Sequence, residues 1–138
     1  MAKDKFHDVV RDALVKDGWE ITHDPLAVEF SALRQVFIDL GAERLLTAQK
    51  GKRKIAVEIK SFIGVSLLQD LYGALGQFMA YRTLLKEQEP DRKLYLAVPK
   101  GTYEGFLSYP SVQQILGDAR TPLIVYDVEK EVVAAWLE

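Results

Sequence analysis

The chain has 138 residues, the size of one ordinary globular domain, with 18 Lys+Arg against 20 Asp+Glu and a formal net charge of −2. That balance excludes a basic protein that coats nucleic acid by bulk charge, and a composition 49% hydrophobic and 28% charged argues against a disordered chain. The absence of Cys removes disulfides, thiol catalysis and Cys-based metal sites, and it fits a reducing cytoplasmic compartment. The first residues mix both signs of charge without an apolar run, so no signal peptide is expected. The longest apolar stretch, Val132 to Leu137, is far short of the roughly 20 residues of a membrane span, so no membrane association is expected.

In chain order, Phe6, Val9, Val10, Ala13 and Leu14 recur at helical spacing and Gly18 follows as a stop, which predicts an amphipathic helix over 3–17. Trp19 to Thr22 reads as a short strand, His23-Asp24-Pro25 as a turn or strand end, and 26–35 is ambiguous. Val36-Phe37-Ile38 is an apolar run leading into Asp39. The extended stretches 43–49 and 54–60, flanking Lys50-Gly51-Lys52-Arg53, carry a hairpin signal. A long helix is expected over about 65–88, with Leu68, Leu71, Tyr72, Leu75, Phe78, Met79 and Arg82 on one stripe. A strand at 93–98, short helices near 101–107 and 111–118, and strands at 122–127 and 131–137 complete a single domain over 1–138. The expected fold is mixed α/β, a central sheet flanked by helices.

The chemistry concentrates in Ile55-Ala56-Val57-Glu58-Ile59-Lys60. Side chains alternate along a strand, so Ile55, Val57 and Ile59 share one face while Ala56, Glu58 and Lys60 share the other. With a hairpin over 43–60, Asp39 at the entrance of its first strand falls near Glu58. Paired carboxylates of this kind suit Mg²⁺ or Mn²⁺, with the carbonyl of Ile59 as a third oxygen ligand. A lysine beside such a metal orients or deprotonates water, or stabilises charge on a phosphate, which is the equipment of metal-assisted phosphodiester hydrolysis. Glu-x-Lys alone is a weak signal, because exposed strand faces often alternate these charges. On the long helix, Asp70, Ala74, Gln77 and Tyr81 form a separate stripe. It reads either as a solvated face or as a side turned to the pocket, where Gln77 would hold Lys60, the water or a phosphate oxygen.

Ile38-Asp39, Val57-Glu58-Ile59-Lys60 and Gln77-Phe78-Met79-Ala80-Tyr81 resemble the D…(D/E)-x-K…Q-x-x-x-Y signature of the PD-(D/E)XK nuclease superfamily. Residues 18–25, 39–44, 56–62, 74–78 and 94–99 extend the likeness over nearly the whole chain to the XisH family, named as controlling factors for excision of the fdxN element in cyanobacteria. The resemblance implies a restriction-endonuclease-like fold with Asp39, Glu58, Lys60 and Gln77 as the catalytic set and Tyr81 as a further candidate. It implies DNA, a small XisI-like protein and a site-specific recombinase as partners. Two functions follow as expectations: a Mg²⁺-dependent nuclease acting on DNA during programmed excision, or a non-catalytic accessory factor that keeps the nuclease fold and works by binding. Ile38 stands where the superfamily's name has Pro. Many relatives supply a Glu from the first helix, and the spacing of Holliday-junction resolvases puts His7 at that position, where it would ligate metal or hold a bound water. The alternative is a surface His beside the amphipathic stripe. Asp8 and Asp12 read as helix-surface charges.

Lys50, Lys52, Arg53 and Lys54 put four positive charges in five residues. They read either as a phosphate-contacting finger that brings a duplex over Glu58 and Lys60, or as a turn charged for solubility. The apolar segment 132–137 has an edge that could pair with a second copy in a homodimer.

Overall fold

A computed structural model describes residues 4–47 and 51–138. The order is α1 (His7–Lys16), β1 (Glu20–His23), β2 (Leu26–Ser31), β3 (Arg34–Ile38), β4 (Leu40–Thr47), β5 (Gly51–Ile59), α2 (Leu67–Gln88), β6 (Arg92–Pro99) and α3 (Lys100–Glu104), then a 3-10 turn (Phe106–Ser108), α4 (Pro110–Asp118), β7 (Leu123–Asp127) and β8 (Val132–Leu137). Six strands form one mixed sheet in the order β1-β4-β5-β6-β7-β8, with β2 and β3 as a separate two-stranded sheet. β5, β6 and β7 run parallel, and β4 pairs antiparallel with β5 through Leu40↔Val57 and Ala42↔Ile55.

Helices cover both faces of the sheet, so its middle strands are apolar on both sides. Ile55, Val57 and Ile59 join Val10, Leu14, Trp19, Tyr95 and Tyr126 in the core under α1. Ala56 joins Ile38, Leu71, Phe78, Leu94 and Leu96 in the core under α2. This alternation of β5 is what turns Glu58 toward the α2 side. Gly18, at φ +93, ends α1 in a conformation that a side chain would strain.

Three differences from the sequence reading have physical causes. The ambiguous 26–35 stretch is most of a β-hairpin whose Leu26, Val28 and Ile38 pack on α2. Gln88 near the end of α2 pins it, accepting from the Glu29 N–H at 2.9 Å and donating to the Glu29 carbonyl at 2.7 Å. The buried stripe of α2 is narrower than expected: Leu71, Ala74, Phe78 and Leu85 are buried, whereas Leu68, Tyr72 and Met79 are about half exposed. Those three lie roughly 100° around the helix from Phe78, past the line where α2 meets the sheet. The basic turn contributes Lys52, Arg53 and Lys54 to β5 itself, and Lys50 lies outside the described residues. Among the described residues no helix is long and apolar enough to cross a membrane.

Candidate functional site

Asp39 occupies the bend where the chain leaves the β2–β3 hairpin and enters the main sheet as β4. Its Oδ2 accepts a hydrogen bond of 2.7 Å from the Ile59 backbone N–H, which ties it to the end of β5 beside Glu58. Glu58 is 9% exposed, and its Oε1 is buried with no hydrogen-bond partner among the described residues. Burial, then the Asp39 charge, pushes the Glu58 carboxyl up to about 9. Asp39 is raised as well, mainly by burial, against the stabilising Ile59 N–H. Two acids are thus held together where neither ionises easily.

Lys60 follows the last residue of β5. Its N–H donates to the Ala97 carbonyl at 3.0 Å, and its Nζ stands 3.9 Å from Asp70 Oδ1 in the first turn of α2. Asp70 also accepts from the Gly64 N–H at 2.9 Å, folding the loop 61–66 back on the helix. A Cβ at Gly64 would come within 2.6 Å of the Asp70 carboxylate, so a side chain there would push that carboxylate aside. In the same loop Phe62 is buried with φ +56, a conformation costly for a side-chain-bearing residue and common where function fixes the backbone.

Tyr81 is half-buried on α2, and burial followed by the charges of Glu58 and Asp39 raises its phenol above the ordinary value, so its hydroxyl shares the carboxylates' environment. Gln77, one turn earlier, is exposed. His7 is 4% exposed, so it is not a surface histidine; its Nε2 lies 2.7 Å from Asp24 Oδ1, and its Nδ1 is buried without a partner among the described residues. A positive charge on His7 favours ionised Asp39. Asp24 also holds Arg11, and these bonds outweigh burial and keep its carboxyl below the usual range. The His23-Asp24 pair is therefore more than a turn.

Three acids complete the surroundings without having been assigned roles from sequence. Asp4 accepts from the Phe6 N–H at 2.9 Å and the Ser61 N–H at 3.0 Å, and its charge raises both Asp39 and Glu58. Asp24 anchors His7, and Asp70 anchors Lys60. Asp70 had a visible signal, its place on the stripe of Gln77 and Tyr81. Asp4 and Asp24 had none, because their partners lie 57 and 17 residues away.

Of the basic turn, Lys52 and Arg53 lie away from this site. Lys52 and Glu58 sit at opposite ends of β5, about 20 Å apart at the rise of a strand. Lys52 pairs with Glu43 at 3.2 Å. Arg53 stacks 5.6 Å from the Trp19 ring and 5.9 Å from the Trp136 ring, and donates to the Tyr95 hydroxyl at 2.6 Å. Lys52 and Arg53, two of the four cations of the basic turn, thus have partners at their own end of β5, and Lys50 lies outside the described residues.

Among the described residues no group of three or more His, Asp or Glu side chains is arranged to hold a metal ion. The donor set is two carboxylates, and Glu58 Oε1 has no hydrogen-bond partner among the described residues. That set fits Mg²⁺ or Mn²⁺, which bind through one or two carboxylates and complete their shell with water and phosphate oxygen.

Residues 1–134 match the family model described as XisH protein. The chain is similar to the crystal structure of an XisH family protein from Nostoc punctiforme PCC 73102, with 40% identity and a TM-score of 0.88 over 98% of this chain and 100% of that one. It is equally similar to the structure of a fdxN element excision controlling factor protein from Anabaena variabilis, at 43% identity and TM-score 0.88 over 99% of this chain and 100% of that one. No curated protein matches it. The match along nearly its full length, in sequence and in fold, shows that the chain belongs to the XisH family.

Proposed function

We propose that the protein is a Mg²⁺-dependent nuclease-like factor acting on DNA in the programmed excision of a DNA element. The observation that carries this reading is Glu58: a buried carboxyl pushed up to about 9 against Asp39, with an unpartnered oxygen and Lys60 two residues on. Asp39, Glu58 and the Ile59 carbonyl would hold the cation, which when bound supplies charge neutralisation at a phosphate and a more acidic water. Lys60, steered by Asp70, would orient that water or meet charge developing on phosphate oxygen. Tyr81 closes the α2 side of the site. His7, fixed by Asp24, leaves Nδ1 facing inward without a partner among the described residues. The excision context comes from the relative in Anabaena variabilis, and with it the proposal of a small XisI-like partner and a site-specific recombinase.

The test is a cleavage assay on duplex, single-stranded and branched DNA, with and without Mg²⁺ and the small partner. Asp39→Ala and Lys60→Ala are expected to abolish Mg²⁺-dependent cleavage while leaving the fold intact; full cleavage by both variants sinks the assignment.

A second reading, a non-catalytic accessory factor, is favoured by two observations. Gln77 is exposed, and Lys52 and Arg53 of β5 are engaged at the end of the strand away from Glu58. On that reading DNA binding rests on the partner, and no cation binds at Asp39 and Glu58.

A further inference from the structure

Helix α2 carries a second apolar face that no described element covers. Leu68, Tyr72, Gly76, Met79 and Thr83 follow one another at intervals of four, four, three and four, which sets them on one side of a helix. Leu68 is 47% exposed, Tyr72 and Met79 53% each, and Val65, just before the Ser66 cap, is fully exposed. At about 100° per residue this side lies away from Asp70 and Tyr81, so it is a surface separate from the carboxylate site. In a chain that is 28% charged, no charged residue occurs between Asp70 and Arg82. Depletion of charge around an aromatic ring and a methionine is the composition of an interface core. Beside these side chains, a Cβ added at Gly73 or Gly76 would meet nothing within 4 Å, so shallow depressions open outward next to the two knobs.

We propose that this face docks on the same face of a second copy of the chain, α2 crossing α2 antiparallel about a two-fold axis beside Gly76. The pattern is self-complementary, as a two-fold contact requires. Tyr72 and Met79 flank Gly76 at four residues before and three after. An antiparallel pairing therefore sets Tyr72 of one protomer against Met79 of its partner, and the reverse, with the glycines receiving them. Sulfur on an aromatic ring is a favourable contact. Val65, Leu68, Tyr72 and Met79 alone expose on the order of 500 Å² of side chain, most of the roughly 800 Å² per partner of a stable interface. This inference does not depend on the proposed nuclease chemistry, because the site residues lie on the other side of α2.

The experiment uses the full chain at concentrations up to about 200 µM, with mass measured by light scattering. We expect twice the 15.6 kDa of one chain. Tyr72→Glu should raise the dimer dissociation constant by at least about 100-fold, since it buries a charge at the centre of the contact. Gly76→Leu should do likewise while leaving helicity intact, and its melting temperature should lose the concentration dependence of a dimer. The chain has no Cys, so single cysteines report without background. Gly76→Cys near the axis should cross-link on oxidation, whereas Ala134→Cys on the edge strand β8 should not. A wild-type monomer throughout the range, a dimer untouched by Tyr72→Glu, or cross-linking at Ala134→Cys in place of Gly76→Cys overturns the proposal.

Discussion

Replacing Glu58 by Gln keeps the shape of the side chain and removes its titration, so it measures what the folded protein spends to hold an acid at that point. Glu58 has a folded value of about 9 against an ordinary 4.5. Between those values the folded chain keeps a proton that the unfolded chain has released. Stability contributed by this group is therefore greatest at low pH and falls as pH rises toward 9, at a slope of up to about 1.4 kcal/mol per pH unit. Carried to pH 8 the full slope amounts to roughly 5 kcal/mol, and relaxation and water penetration reduce the expected effect to about 2 kcal/mol. Glu58→Gln should thus match wild type near pH 5 and exceed it by about 2 kcal/mol at pH 8 without divalent metal, a rise of several degrees in melting temperature for a chain of this length. Asp39 is raised with it, so the titration belongs to the pair. Urea unfolding at pH 5, 6.5 and 8 in chelator, read as the difference between variant and wild type, isolates the group from other carboxylates. A difference that stays flat across this range refutes the reasoning, as does a variant less stable than wild type at pH 8.

Gly64→Ala should cost about 1–2 kcal/mol in denaturant unfolding, because the new Cβ displaces Asp70 from the Gly64 N–H and from Lys60. Arg53→Ala should destabilise the fold by about 1–2 kcal/mol through lost contact with Trp19, Trp136 and Tyr95, and leave DNA affinity unchanged; weaker DNA binding with unaltered stability would favour the finger reading instead. Asp24→Asn should lose roughly 1 kcal/mol at pH 7 after allowance for solvent screening. Since the folded Asp24 value lies below its ordinary 3.8, that difference should persist above pH 4 and vanish as acid protonates the wild-type group, which thermal melts at pH 2.5 and 7 would show.

What sequence reveals here follows from how far each signal reaches. The faces of β5 were legible because strand periodicity is local: Ile55, Val57 and Ile59 go to one core, and Ala56 and Glu58 to the other side. Asp39 was legible from the apolar run before it. The β2–β3 hairpin was not, since Phe30 and Leu33 are apolar and exposed and blur the alternation. Nor were the anchors of the site, because Asp4 reaches Ser61 and Asp24 reaches His7 only after the chain folds. Arg53 is the sharpest case. In the sequence it is one of four cations in a turn, and in the fold it lies over Trp19 and Trp136, which themselves meet at 5.5 Å. Apolar periodicity along α2 likewise named a stripe but could not say where the sheet stops covering it.

The central claim, that Asp39 and Glu58 form a cation site, is tested most directly by calorimetric titration of Mg²⁺ and Mn²⁺ into the full chain at pH 7. Repeating it in buffers of different ionisation enthalpy counts the protons released. One binding event is expected, releasing about one proton, because Glu58 must ionise to bind. Both the event and the proton should be lost in Asp39→Ala, and the proton in Glu58→Gln. Absence of binding, or binding that Asp39→Ala leaves unchanged, contradicts it.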